Sequence, residues 1–122
     1  MKKWLIAALL GLIPGANAGH AQTSVPYGNN PTAGHYYNVG DADLYYELYG
    51  QGKPVVLLHG GLFGYIDEYE FLIPKLAQTH QVIAIGTRGH GKSAIGNKPF
   101  SYRQLADDAY QVIRQLRTGS VA

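Results

Sequence analysis

The sequence contains no cysteine in its 122 residues. It therefore has no disulfide bonds, no thiolate ligands for zinc and no cysteine nucleophile. Charged residues make up only 15% of the chain. No Lys/Arg cluster remains once the N-terminus is set aside, which argues against a nucleic-acid partner. The fold must be held by its hydrophobic core alone.

A long hydrophobic run is also missing. The main apolar stretch, residues 4–13, is too short to span a bilayer. It follows the basic start MKK, and the letters ANA at residues 16–18 have the small-x-small pattern of a cleavage site. This pattern predicts a signal peptide over residues 1–18 and export to the periplasm or out of the cell, with cleavage after Ala21 as the second choice. A short membrane anchor or a buried helix is the alternative interpretation.

Removal of residues 1–18 takes away Lys2 and Lys3. Eight basic residues then face eight acidic ones, so the exported chain has no formal net charge. Its length allows one domain at most. Residues 19–34 are rich in Gly, Asn, Pro and Thr and lack an apolar period, which predicts a flexible leader. The domain itself is expected over residues 35–122.

Two kinds of strand follow the leader. Residues 35–39 and 44–49, joined by a turn at Gly40-Asp41, predict an antiparallel hairpin at a sheet edge. Residues 55–58 (VVLL) and 82–85 (VIAI) are apolar throughout, as strands covered on both faces would be. The stretch between them has room for a crossover helix, expected within residues 67–79, which Pro74 would delay or bend. These features predict an α/β fold with a right-handed parallel crossover.

The last third of the chain predicts a second helix. Ser101 and Gln104 fit a capping box, and an apolar stripe at helical spacing follows them. The stripe consists of Leu105, Ala109, Val112, Ile113 and Leu116. Asp107 and Asp108 are interpreted as solvated charges on the polar side of this helix. Residues 120–122 then resemble the start of a further strand.

Residues 86–93 read GTRGHGKS, which fits the P-loop pattern G-x-x-x-x-G-K-[ST] after a predicted strand. A P-loop needs a helix that begins at its Lys-Ser pair, because the helix amides hold the phosphates. Here Gly96 and Pro99 interrupt any such helix, and no later strand supplies an acidic magnesium ligand. We therefore predict a loop with no helix beginning at Lys92.

A second motif runs from a predicted buried strand directly into His59-Gly60-Gly61. Paired glycines let backbone amides approach a ligand without interference from side chains. Such amides can donate hydrogen bonds to an oxyanion during acyl transfer. The simpler interpretation is a turn after a strand.

The segments VVLLHGGLFG, QVIAIGTRGHGKS and SYRQLADDAYQVIRQL, in this order and spacing, resemble the N-terminal part of the α/β-hydrolase fold. The resemblance extends from about Tyr36 to Ala122. It implies an antiparallel hairpin followed by parallel strands with crossover helices. In this family the turn after the first crossover reads D-x-R-G-x-G-x-S. Four residues match it and are expected to shape the loop: Arg88, Gly89, Gly91 and Ser93.

Gly86 stands where the family usually has Asp, so a contact of that carboxylate is missing or replaced. The resemblance implies that the Gly61 amide is an oxyanion donor, with Leu62 as the second choice. It assigns His59 and Gly60 to support of the loop, because the family's catalytic histidine comes much later in the chain. Three further residue sets are not expected to carry chemistry: Lys92 and His90 are ordinary loop residues, and His20, His35 and His80 lack metal-ligand spacing.

The resemblance implies hydrolysis of an ester, or a related acyl or C–X bond, through a covalent intermediate. It implies a small-molecule substrate and no cofactor. In these enzymes the nucleophile stands in G-x-S-x-G on the strand after the second helix. Because the sequence ends at Ala122 as that strand begins, we expect an inactive N-terminal part that lacks nucleophile, acid and catalytic histidine. The alternatives are a non-catalytic binding or scaffold protein of this fold and, less favoured, a P-loop nucleotide binder.

Overall fold

The structure, a computed structural model, describes residues 24–122. The predicted signal peptide and the first part of the predicted leader lie outside the described residues. The strands are β1 (Gly34–Asn38), β2 (Asp43–Tyr49), β3 (Lys53–Leu58) and β4 (His80–Ile85). The helices are α1 (Ile73–Leu76) and α2 (Tyr102–Leu116), and a 3₁₀ turn (Ile66–Tyr69) precedes α1.

One four-stranded sheet has the order β1-β2-β4-β3. β1 pairs antiparallel with β2, and β2 pairs antiparallel with β4. β3 and β4 are parallel, with Val55 opposite Val82 and Leu58 opposite Ile85. The predicted hairpin and the predicted parallel crossover are both confirmed.

The central strand β4 is covered on both faces. Ile83 and Ile85 pack with α2 residues Ala109 and Val112 in one cluster. Val82 and Ala84 belong to a second cluster on the opposite face. Because successive side chains of a strand point to opposite faces, an unbroken apolar run suits this position. Each of the larger side chains contributes about 1.5–3 kcal/mol by burial.

The crossover between β3 and β4 is more broken than the sequence predicts. Instead of one helix within residues 67–79, it contains the 3₁₀ turn and the four-residue α1. Neither has a side-chain cap, and Pro74 lies in the first turn of α1, where its missing N–H is tolerated. The crossover helix therefore lies within the predicted residues 67–79 and begins late, as expected from Pro74, but it is only four residues long.

The predicted second helix is confirmed as α2. The Ser101 side chain accepts a hydrogen bond from the Gln104 amide at 3.1 Å. The reciprocal half of the capping box is not formed, because the Gln104 side chain donates to Asp108 instead. The helix ends at Leu116, and Arg117 adopts the left-handed conformation as C-cap.

The segment before β1 packs against a buried carboxylate, Glu47 on β2. The amides of Gly28 and Asn30 each donate to one carboxylate oxygen at 2.9 Å. The hydroxyls of Tyr45 and Tyr49 donate to the same two oxygens at 2.7 and 2.8 Å. Part of the segment predicted as a leader, residues 28–30, therefore packs against the sheet.

β3 lies at the edge of the sheet, and the last residue meets it there. The Ala122 amide donates to Pro54 O at 3.1 Å, and Val56 N donates to Ala122 O at 2.8 Å. Residues 120–122 thus approach β3 as the first rung of a further parallel strand would. Within residues 24–122, no helix has the length and apolar character needed to cross a membrane.

Candidate oxyanion site

The loop after β3 holds the two neighbouring backbone amides that the sequence singles out, those of Gly61 and Leu62. A tight turn forms where Gly64 N donates to Gly61 O at 2.8 Å, and Glu68 accepts from Gly60 N at 3.1 Å. Among residues 24–122, neither Gly61 nor Leu62 finds an acceptor for its amide. A Cβ added at Gly61 would meet nothing within 4 Å. Open space at Gly61 and an amide without an acceptor are both features that an oxyanion donor requires.

His59 supports this loop through both ring nitrogens. Its Nε2 accepts from the Thr87 amide at 2.9 Å, so the ring proton lies on Nδ1, which donates to Gly60 O at 2.9 Å. Burial lowers the pKa of His59, and the neighbouring His90 lowers it further. The neutral ring is thus used for backbone contacts, and neither nitrogen is free to act as a general base.

The loop of residues 86–93 joins β4 to α2, and no helix begins at Lys92. Gly89 and Gly91 have φ values of 77° and 51°, which glycine adopts without strain. The Ser93 hydroxyl accepts from Tyr45 N at 2.9 Å and donates to Gly86 O at 2.6 Å. The predicted loop is confirmed, and the helix N-terminus that a phosphate site would need is not there.

Arg88 is fully buried beneath this loop. It donates twice to Asp108, at 2.7 and 3.0 Å, and twice to Asp41, at 3.0 and 3.2 Å. A fifth hydrogen bond reaches Ile95 O at 3.0 Å, so the guanidinium has used all its donors. The hydrogen bonds from Arg88 are the main reason that the pKa of Asp41 lies well below its usual range.

The sequence-based interpretation of Asp108 as a solvated charge is wrong, because this residue is only 2% exposed. Asp107, its neighbour, is exposed as expected. Asp108 stands three residues after Leu105 and four before Val112, which places it on the apolar face of α2. That spacing is the signal that could have identified it as a buried partner for a cation.

Tyr65 occupies the space that a larger residue at position 86 would need. A Cβ built on Gly86 would lie 2.7 Å from the Tyr65 ring. The same ring closes on Gly28 and Gly91, where an added Cβ would also collide with it. The Tyr65 hydroxyl accepts from Lys92 N at 3.1 Å, and burial raises the pKa of Tyr65 to about 12. Tyr65 therefore leaves no room for the aspartate that the family usually has at position 86.

A cavity of about 600 Å³ opens beside the two free amides. Its polar side includes His59, Thr87 and His90, whose Nδ1 lies 3.1 Å from Thr87 Oγ1. The other lining residues are Leu62 and four residues that precede or begin α2: Phe100, Ser101, Tyr102 and Leu105. Sequence reasoning missed Thr87, Tyr65 and Phe100 because no motif marks them.

Only some of the predicted site residues meet at this cavity. His59, Gly60, Gly61 and Leu62 line it. The remaining four do not line the cavity and instead shape the loop of residues 86–93: Arg88, Gly89, Gly91 and Ser93. Lys92 is exposed, with its ammonium 2.7 Å from Asn29 Oδ1. Among the described residues, no group of three or more His, Asp or Glu could hold a metal ion.

The chain matches known proteins over most of its described length. A family model for the alpha/beta hydrolase fold matches residues 53–122. RutD of Azorhizobium caulinodans, whose name describes a carbamate hydrolase, is 40% identical over 78 residues, which cover 64% of this chain and 29% of that protein.

Two solved structures have the same fold. An esterase from Exiguobacterium antarcticum has a TM-score of 0.67 and 31% identity, over 73% of this chain and 34% of its own. A bromoperoxidase from Bacillus anthracis has a TM-score of 0.66 and 32% identity, over 73% of this chain and 33% of its own. The chain thus spans about a third of these relatives. From the fold, the HGG loop and these matches, the chain belongs to the α/β-hydrolase fold family.

Proposed function

We propose that this chain is the N-terminal part of an exported hydrolase that cleaves an ester, or a related acyl or C–X bond, in a small molecule through a covalent intermediate. The observation that carries the proposal is the Gly61 amide, which has no acceptor within residues 24–122 and belongs to a residue that lines a cavity. Relatives named as an esterase and a carbamate hydrolase support the reaction class.

In acyl transfer, a nucleophile from outside residues 1–122 would bond to the carbonyl carbon of the substrate. The carbonyl π electrons would move to oxygen, and the Gly61 N–H would stabilise that oxyanion, with Leu62 N–H as the alternative donor. Collapse would expel the alcohol with a proton from the enzyme's acid, and water would release the acyl group. His59 would keep the donor loop in place throughout.

The oxyanion role of Gly61 can be tested in the complete protein of which we propose this chain is a part. Gly61→Pro removes the donating N–H, and the loss of one such donor typically lowers kcat by about 10²–10³-fold. Gly61→Ala is the matched control, since it keeps the N–H and its methyl group enters open space. We expect near-normal turnover of p-nitrophenyl acetate from Gly61→Ala and a large loss from Gly61→Pro at an unchanged Tm. Equal losses in both variants would contradict the donor role.

The remainder of the gene tests the proposal from the other side. Reading the DNA beyond codon 122 should reveal a serine, aspartate or cysteine nucleophile at a strand-to-helix turn. A continuation without one would favour the alternative of a non-catalytic binding protein with this fold. Residues 19–122 alone should show no turnover of p-nitrophenyl acetate above a heat-denatured control. Saturable turnover by this chain would place the catalytic groups within residues to which we give structural roles.

A further inference from the structure

The cavity beside Gly61 has one side made of large apolar groups. Leu62 extends from the donor loop, while Phe100 and Leu105 come from the start of α2, on the other side of the opening. None of the described residues that line the cavity is Asp, Glu, Lys or Arg. Charged substrate groups would therefore find no counter-ion here, whereas an apolar group would find contact surface.

Three large and strongly exposed side chains line this cavity. Leu62 is 83% exposed, Phe100 61% and Tyr102 93%. Contiguous exposed apolar groups on a soluble protein commonly mark a binding surface. Exposure alone does not distinguish them, because Phe71 is 76% exposed and does not line this cavity. What distinguishes these three side chains is their position next to the unpaired Gly61 amide.

Among the described residues, the polar side of the same cavity contains His59, Thr87 and His90 and no carboxylate, ammonium or guanidinium group. His59 is neutral and committed to backbone contacts, and Thr87 Oγ1 lies 3.0 Å from its Nε2. A carbonyl placed at the Gly61 amide would thus have this polar strip near its reacting end and the apolar side chains beyond it. This division of the cavity suits an uncharged molecule with one polar centre.

We infer that Leu62, Phe100 and Leu105 bind an apolar substrate group larger than methyl, next to the scissile bond, and so select uncharged hydrophobic esters. The inference rests on the proposed function, because it assigns the substrate class of that same site. Phe100 is the specificity-determining residue, since its ring is the largest of these three side chains and is 61% exposed.

The test compares three esters in the complete protein: ethyl acetate, ethyl hexanoate and hexyl acetate. The second is lengthened on the acyl side and the third on the alcohol side, and acid release reports turnover of all three. We expect a higher kcat/KM for at least one long ester than for ethyl acetate. Phe100→Ala should reduce that advantage by about five- to tenfold, mainly through KM, because about 50 Å² of apolar contact is lost. Phe71→Ala is the matched control and should change none of the three.

Several outcomes would overturn the inference. A wild-type preference for ethyl acetate would show that the apolar side is not used. An equal loss on all three esters in Phe100→Ala, with a lowered Tm, would assign Phe100 to packing instead. Phe100→Leu should recover part of the preference if the ring acts as a contact surface.

A binding measurement separates this inference from the proposed function. N-butylbutanamide, an amide analogue of an ester, can be titrated into the ¹⁵N-labelled complete protein. We expect chemical-shift changes at Gly61, Thr87 and residues 100–105. If no ester is hydrolysed but these shifts appear, the proposed function fails and the apolar site stands. If esters are hydrolysed but the shifts lie elsewhere, the apolar site fails and the proposed function stands.

Discussion

Tyr65 lies in a slot bounded by Gly28, Gly86 and Gly91. At Gly86 the close approach of the ring, and not an unusual φ, is what requires glycine. The family usually has Asp at this position, so the two residues are expected to depend on each other. A side chain at position 86 can be accommodated only if the ring is removed.

A double-mutant cycle tests this dependence in the complete protein. Gly86→Ala alone should destabilise by about 1–3 kcal/mol, because its methyl group collides with a ring that packing holds in place. In a Tyr65→Ala background the same change should cost clearly less, because only Ser93 Oγ at 3.0 Å and Tyr45 O at 3.3 Å remain close, so the two effects should not add. Urea unfolding of the four proteins measures the coupling. Additive free energies of unfolding would show that the two residues do not share this space.

Asp108 and Asp107 form a natural matched pair on α2. Asp108→Asn leaves the buried Arg88 with one carboxylate and turns an amide N–H toward its guanidinium. We expect destabilisation by about 2–3 kcal/mol, since a buried charge loses part of its compensation. Asp107→Asn, at an exposed site, should stay within about 0.5 kcal/mol of wild type. Similar denaturant midpoints for the two variants would argue against an ion pair that holds the loop.

His59 gives the stability a defined pH dependence. Its pKa in the folded protein is lowered by burial, whereas in the unfolded chain it returns to its ordinary value of about 6.5. As the pH falls below about 6.5, the unfolded chain binds a proton that the folded chain does not, so stability decreases. Asp41, whose pKa is also lowered, contributes a separate loss only below about pH 4.

The contribution of His59 can be isolated by unfolding the complete protein in urea at pH 7.5 and pH 5. The wild type should lose stability between these values, and His59→Gln should lose less, because its amide does not titrate. His80→Gln, at a histidine on the other end of the sheet, serves as the control. A wild type with equal stability at both pH values would contradict a neutral, backbone-bound His59.

At the scale of elements, local patterns predicted most of the strands and α2. Alternation in β2, unbroken apolar runs in β3 and β4, and the Ser101 cap are all signals that neighbouring residues carry. The crossover was less predictable, because α1 and the 3₁₀ turn lack caps and are held by contacts of Ile66 and Ile73 with the sheet. Such tertiary stabilisation leaves no periodic trace in so short a segment.

The site was predictable only where a motif marks it. Residues 59–61 follow a buried strand, so their place at its C-terminal end could be inferred. The helical spacing of Asp108 could have marked it as buried, but not Arg88 as its partner, and Asp41 lies 47 residues from Arg88 in the sequence. Glu47 was missed for the same reason, since its donors come from a segment without any regular pattern. Hydrogen-bonded pairs of residues that are distant in the sequence are therefore the part of this structure that could not be predicted.

At the scale of the whole chain, β3 is an edge strand whose outer edge is only partly paired within residues 24–122. Ala122 bonds only to Pro54 and Val56, and Leu58 beyond them is exposed. An apolar strand with an incompletely paired edge is a template for association with other chains. Residues 19–122, made alone, should therefore be poorly soluble or molten.

Size-exclusion chromatography and thermal melting of residues 19–122 measure this tendency. Leu58→Lys places a charge at the free edge and should increase the monomeric fraction. Leu72→Lys, an exposed leucine outside the sheet, is the control and should change it little. A wild-type fragment that is monomeric and melts in one sharp transition would show that the edge is already well protected.

The four donors around Glu47 decide how far the protein can be trimmed. A version that begins at His35, where sequence reasoning places the domain, keeps the two tyrosine hydroxyls but discards the amides of Gly28 and Asn30. Each lost donor leaves part of a buried carboxylate unpaired, at a cost of about 1–3 kcal/mol. A purification tag therefore belongs ahead of Ser24. A tag fused directly to β1 would replace residues 28–30, whose amides are buried against the Glu47 carboxylate.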